Sequence, residues 1–212
     1  SRRKTLAMIA GGVLVAAAAG TAGFVFSRRP DAALAPWDQA GAQDDPLMAA
    51  LSWGVLAPSP HNRQPWLVEL TGAGAFRLHA DTTRLLPQTD PEGRQITIGL
   101  GCFLEQVKIA ASLTGHGLDI SLYPDGADGP VALATLMPAG AADPLAAVLA
   151  ARRTNREPYE TDPLDPAAVA ELAGYGTLYQ DDAALAAIRT LADEAMRIES
   201  TTARIHAETV DA

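Results

Sequence analysis

Ala57-Pro58-Ser59-Pro60-His61-Asn62-Arg63-Gln64-Pro65-Trp66 is the stretch on which the reading of this chain turns. Ten residues hold three prolines, a hydroxyl, an imidazole and two carboxamides. Proline fixes its own φ, so such a loop is stiff, and its amide side chains can meet a planar heterocycle edge-on with little loss of entropy. Read for its residues alone, the same stretch is also a rigid turn whose polar groups satisfy their own backbone.

The flanks place this loop between a helix and a strand. Asp45-Pro46 starts a helix with a cap residue and a first-turn proline, and Leu47, Ala50, Leu51 and Val55 give it an apolar stripe up to Pro58. Downstream, Trp66–Leu70 and Phe76–Ala80 alternate around Gly72-Ala73-Gly74, the signature of a hairpin. From about Glu92, the spacing of Ile96, Leu100, Phe103, Leu104, Val107 and Ala111 predicts a helix ending near Gly115. Leu118–Tyr123 and Val131–Leu136 predict two more strands. Helices are expected at 144–151 and 166–173, with a long one at about 182–211. The layout is α+β, a mainly antiparallel sheet among helices.

The second unusual stretch is Arg152-Arg153-Thr154-Asn155-Arg156-Glu157. Guanidinium groups bind phosphate through paired hydrogen bonds, so three arginines in five residues suit an anionic ligand. A solvated basic loop paired with nearby acids is the other reading.

Composition sharpens the contrast. The 212 residues carry a net charge of −9, with 48% hydrophobic residues and one cysteine. Residues 1–35 hold five basic side chains and one acid, whereas the remaining 177 hold 11 basic and 24 acidic ones. The body is thus at −13 and its leader at +4. An acidic body argues against nucleic acid. Cys102 alone makes neither an internal disulfide nor a cysteine-rich metal site, and no metal ligand set stands out. Gly99-Leu100-Gly101 lacks the third glycine and preceding strand of a Rossmann site. Neither a Gly-x-Ser-x-Gly elbow nor a His-Glu-x-x-His pair occurs, and no catalytic acid or base can be named.

The leader is a separate object. Ser1-Arg2-Arg3-Lys4-Thr5-Leu6 opens an uncharged, Ala- and Gly-rich run over residues 5–27, closed by Arg28-Arg29-Pro30. It resembles the twin-arginine export signal, which implies the twin-arginine translocase as a partner and a periplasmic body. A transmembrane anchor with basic flanks uses the same residues, since 23 uncharged residues span a bilayer. Pro36 after Ala33-Leu34-Ala35 disfavours cleavage there. The expected division is 1–29 signal or anchor, 30–45 linker, 46–151 a first unit, and 152–212 the start of a second.

Taken together, these segments resemble the nitroreductase superfamily of flavin enzymes. Pro58-Ser59-x-x-Asn62-x-Gln64-Pro65-Trp66 is similar to that family's ring-binding loop, and Arg152–Arg156 to its Arg-Arg-Ser-x-Arg start, with Thr154 for Ser. Leu86-Pro87-x-x-Asp90-Pro91-x-x-Arg94-Gln95-Ile96 resembles the Acg-like, internally duplicated branch. The resemblance implies FMN as cofactor, with Ser59, Asn62 and Gln64 on the ring and ribityl chain and His61 a weaker candidate. Arg152, Arg153 and Arg156 would hold the phosphate.

The order of the motifs adds an expectation. In ordinary nitroreductases the arginine motif comes shortly before the loop, but residues 31–57 contain no arginine. The expected protein is a pseudo-dimer of two repeats with one composite flavin site, the second repeat cut short at Ala212. The implied reaction is hydride transfer through flavin, from a small-molecule donor to nitro-aromatic or quinone-like acceptors. A flavin-sequestering protein and a membrane-tethered structural domain are the alternatives.

Overall fold

The computed structural model describes residues 31–159 and 162–211. The export signal or anchor assigned to residues 1–29 therefore lies outside the described residues. In chain order the elements are α1 (Asp31–Gln39), α2 (Pro46–Gly54), a short 3-10 turn at Pro60–Asn62, β1 (Trp66–Gly72), β2 (Ala75–Ala80) and α3 (Arg94–Ala111). There follow β3 (His116–Leu122), β4 (Ala132–Pro138), a 3-10 turn at Pro144–Val148, α4 (Pro166–Leu172), α5 (Asp182–Thr201) and α6 (Ala203–Asp211). This is an α+β arrangement.

The core is a two-helix layer on a four-stranded antiparallel sheet of order β1-β2-β4-β3. Phe76 and Leu78 on β2 alternate inward beside Ala132 and Ala134 on β4, and all four are fully buried. Against them lies the stripe of α3, where Leu100, Phe103 and Val107 are almost wholly buried. Strand β1 forms one edge, where Leu67, Val68 and Leu70 are exposed, Val68 and Leu70 on the face that lines a cavity with Leu51 and Phe103.

Local chemistry sets the ends of the elements. Asp45 caps α2 by accepting from the Met48 N–H at 2.9 Å, with Pro46 in the first turn. At its far end, a Cβ on Gly54 would stand 2.5 Å from Val107 Cγ2 and 2.9 Å from Phe103 Cε2, so only glycine lets α2 approach α3 this closely. The buried Gln106 amide then donates to the Trp53 carbonyl at 2.7 Å, tying the two helices together. Buried Asp90 accepts from the Ile96 N–H at 2.9 Å and starts α3. That explains the Leu86–Ile96 stretch locally. The 21 residues Arg94–Thr114 are long and apolar enough to cross a membrane, but they are the core helix just described.

Three expectations need correction. The segment 30–45, read as a linker, contains α1, whose Trp37 makes long-range contacts described below. The helix expected at 144–151 is a 3-10 turn, because Asp143 caps Leu145 at 2.8 Å and the following bonds close to the third residue back. The long helix at 182–211 breaks at Thr202, whose ψ of 106° is extended. There Ser200, Thr201 and Thr202 each donate a hydroxyl proton to the carbonyl four residues earlier, at 2.6–2.7 Å. Such back-bonding competes with the helical ladder and bends or ends it.

Beyond Arg152, contacts to this core are few. Helix α5 has no buried residue, and Leu191, Met196 and Ile198 are all more than half exposed. Helix α6 docks through Glu208. The Glu208 carboxylate accepts from the N–H groups of Gln88 and Thr89 and from the Thr89 hydroxyl, the last two at 2.7 Å.

Candidate functional site

Loop 58–66 is built under strain. His61, Asn62 and Gln64 have φ of 48°, 54° and 50°, a left-handed conformation that non-glycine residues seldom take. Each such residue costs on the order of 1 kcal/mol and persists only where its surroundings over-determine it. Here they do. Ser59 Oγ accepts from the Gln64 N–H at 3.0 Å, and the N–H groups of Asn62 and Arg63 close back on Ser59 and Pro60. Arg63 donates to the carbonyls of Arg84 and Thr83, and Arg84 donates to the Arg63 carbonyl at 2.9 Å. Buried Pro65 and the tilted pair of Trp66 and Phe103, 5.3 Å between centroids, anchor the exit. The turn reading is thus correct in part, since the Ser59 hydroxyl serves the loop's own backbone. Arg63 is the bolt that sequence reasoning passed over.

The loop has two sides. On the Ser59 side is a cavity of about 380 Å3, walled by Gly99, Ile98, Cys102 and Thr154. Gly99 makes this approach close, because a Cβ there would come within 3.3 Å of Pro60 Cδ. A neighbouring cavity of about 290 Å3 shares Pro58 and Cys102 and runs past Gln106 and Ile109 to Arg152. Behind the loop, a third cavity of about 330 Å3 is lined by Asn62, Gln64, Trp66 and Trp37. Ser59 therefore faces a different space from Asn62 and Gln64.

The arginine motif arrives on the first side. Arg152 Nη2 donates to the Leu56 carbonyl at 2.6 Å, across 96 residues of sequence. Its Nε is buried and has no hydrogen-bond partner among the described residues. Burial, and then the adjacent Arg153, pulls the Arg152 pKa below the ordinary arginine value. Arg153 Nη1 donates to the carbonyls of Ala150 and Arg152 at 2.7 and 2.8 Å. Its Cζ lies 3.9 Å from the Trp37 ring centroid, and that of Arg152 lies 5.7 Å from it. Among the described residues, no carboxylate forms an ion pair with either arginine. The reading of a basic loop paired with nearby acids does not hold for them.

Of the predicted residues, Ser59 lines one cavity and Arg152 the neighbouring one, the two sharing Pro58 and Cys102, with Arg153 next to Arg152. Asn62 and Gln64 stand behind the same loop. Arg156 is exposed and lines none of these cavities, nor does His61. Trp37 was missed. Its segment has no apolar periodicity, and the partners that order it lie far along the chain.

No family model matches this chain. It is similar to a Mycobacterium tuberculosis protein provisionally named an NAD(P)H nitroreductase, with 29% identity over 131 residues in strains CDC 1551 and H37Rv. A second protein so named in that organism is 30% identical over 92 residues, 43% of this chain and 27% of its own length. The first match covers 60% of this chain but only 38% of the relative, so the chain spans well under half of the proteins it matches. Among solved structures it is similar to the nitroreductase family protein of Streptococcus pneumoniae TIGR4, at 17% identity and a TM-score of 0.35, covering 66% of this chain and 90% of that one. Over the matched span the chain is similar to proteins provisionally named nitroreductases.

Proposed function

We propose that this chain forms the cofactor-binding part of an exported, FMN-dependent oxidoreductase of nitroreductase type. One observation carries the reading: the Arg152 motif meets the Pro58–Trp66 loop through the bond to Leu56, and the two wall one trough. A chain similar to proteins provisionally named nitroreductases thereby has a cationic end and the Ser59 edge of a stiff loop within reach of one ligand.

The residues fit an FMN-like group. Arg152 keeps a buried, unpartnered N–H, the condition of a donor waiting for an acceptor. Arg153 adds a second guanidinium, and neither positive charge is cancelled by a described carboxylate. Planar guanidinium groups match the geometry of phosphate oxygens. Between that end and Ser59 the lining is mostly apolar, through Pro58, Cys102, Ile98 and Leu149, with Gln95, Gln106 and the Glu105 carboxylate as its polar members. Arg152 and Arg153 hold the phosphate in this reading, while Ser59 and the backbone around it border the ring. The flavin, when bound, supplies the hydride-transfer chemistry. The protein's part is to bind, orient and shield, which accounts for the lack of a recognisable acid–base pair.

The acceptors in this reading are nitro-aromatic or quinone-like compounds, reduced at the expense of a small-molecule donor. The pseudo-dimer follows as a proposal: one flavin per chain, its ring loop from residues 46–151 and its phosphate motif from the unit that begins at Arg152. The export signal over residues 1–29 delivers the loaded protein to the periplasm.

The test is an absorption spectrum of the protein purified from a twin-arginine-competent host. Flavin bands at one flavin per chain are expected, lost in Arg152→Ala plus Arg153→Ala. Bleaching by a nicotinamide or quinol donor and recovery with a nitro-aromatic distinguishes turnover from sequestration. A colourless protein, or two flavins per chain, sinks the proposal.

A further inference from the structure

Two guanidinium groups lie side by side in an acidic body, and something other than a described carboxylate holds them. Their hydrogen bonds end on the carbonyls of Leu56, Ala150 and Arg152, which carry no net charge. Both guanidinium groups also lie over the indole of Trp37, 3.9 Å from Arg153 Cζ and 5.7 Å from Arg152 Cζ. An aromatic face attracts a cation through its quadrupole but does not neutralise it. A carboxylate in the same place would fix the arginines and cancel their charge. Indole fixes them and leaves the charge to an incoming anion.

Helix α1, which carries Trp37, also reaches the other side of the loop. Its Ala33 and Pro36 line the cavity that contains Asn62, Gln64 and Trp66, and Trp37 lines it too. One short helix thus touches both the arginine pair and the amide-bearing face of the loop.

We propose that Trp37 is a positioning residue, an indole platform that holds Arg153, and through it Arg152, ready for the phosphoester end of a ligand. The identity of that ligand as FMN rests on the function proposed above, whereas the contact between Trp37 and the arginines does not. Removing the platform frees Arg153 to solvent, and the ordering of a long side chain must then come from binding itself.

The experiment compares FMN with riboflavin, which lacks the phosphate, by fluorescence titration of the whole protein. Trp37→Ala is expected to weaken FMN about tenfold, the size of a partly desolvated cation–π contact. Riboflavin affinity should stay unchanged, and Trp37→Phe should restore most of the loss for FMN. Arg153→Lys keeps the charge, loses the planar stack and sits at an exposed site, so it should mimic Trp37→Ala without disturbing folding. A merely structural tryptophan would weaken both flavins equally and would gain nothing from phenylalanine. Either result overturns the proposal, as does unchanged FMN affinity in both Trp37→Ala and Arg153→Lys.

If the wild type binds neither flavin, the flavin reading fails, and inorganic phosphate, titrated by calorimetry, decides the platform. Weaker phosphate binding in Trp37→Ala with recovery in Trp37→Phe supports it. Equal affinities, or no phosphate binding by the wild type, refute it.

Discussion

Arg152 and Leu56, 96 residues apart, are joined by a 2.6 Å hydrogen bond from guanidinium to carbonyl, and that bond closes the site. Leu56 is only 8% exposed, so its carbonyl has little access to water. Arg152→Ala should therefore destabilise the fold by about 1–3 kcal/mol, the cost of a buried acceptor left unpaired. Urea unfolding measures this. Arg152→Lys restores a charge but not the fork, and should recover part of the stability with little of the anion affinity.

The docking of α6 should depend on pH in a defined direction. Burial pushes the Glu208 pKa up, but hydrogen bonds from the Thr89 hydroxyl and from the N–H groups of Thr89 and Gln88, with His61 nearby, outweigh it. The folded value lies below the ordinary 4.5. A depressed carboxylate stabilises the docked state fully above its unfolded pKa and ceases to do so as pH falls through the folded one. The exchange protection of the Gln88 and Thr89 amides, relative to their intrinsic rates, should be high at neutral pH and fall only on acidification below 4.5. Glu208→Gln should exchange faster at neutral pH and lose that acid step.

The glycines of α3 should respond oppositely to alanine. Gly101 faces open space, so Gly101→Ala should stabilise by roughly 0.5–1 kcal/mol, the helix-propensity difference. At Gly99 the new methyl meets Pro60 Cδ at 3.3 Å, so Gly99→Ala should forfeit that gain and weaken ligand binding by pushing the loop away. Gly54→Ala meets Val107 and Phe103 below 3 Å and should cost about 1–3 kcal/mol by overpacking. Thermal unfolding and flavin titration of the three variants rank them.

Replacing Ser200, Thr201 and Thr202 together with alanine removes the hydroxyls that compete with the ladder at the break. Helical circular dichroism should rise as α5 and α6 fuse. Glu208 should then leave Thr89, and the exchange protection of Gln88 and Thr89 should fall.

Much of this could be read in advance. The sheet and α3 were legible because alternation at Phe76 and Leu78, and helical spacing from Ile96 to Ala111, record which side meets the core. The loop was legible through its prolines, and the arginines through their charge. What escaped had distant causes. Helix α1 has no stripe of its own, because Trp37 is ordered by Arg153 and not by neighbours in sequence. The break at Thr202 comes from hydroxyl competition that an apolar pattern does not register. Nothing in the sequence marks Arg63, and only the fold shows that it bolts the loop to residues 83 and 84.

Strand β1 leaves the sheet open on one margin. Its outer rung offers backbone N–H and C=O groups to any extended segment that arrives, and Leu67, Val68 and Leu70 give such a segment an apolar surface to meet. No proline interrupts Trp66–Gly72, and Glu69 supplies its single charge. The sheet can thus grow to a fifth strand without disturbing the four it has. A second copy of the chain pairing along that margin is the expected outcome at high concentration, and light scattering over a concentration series checks it.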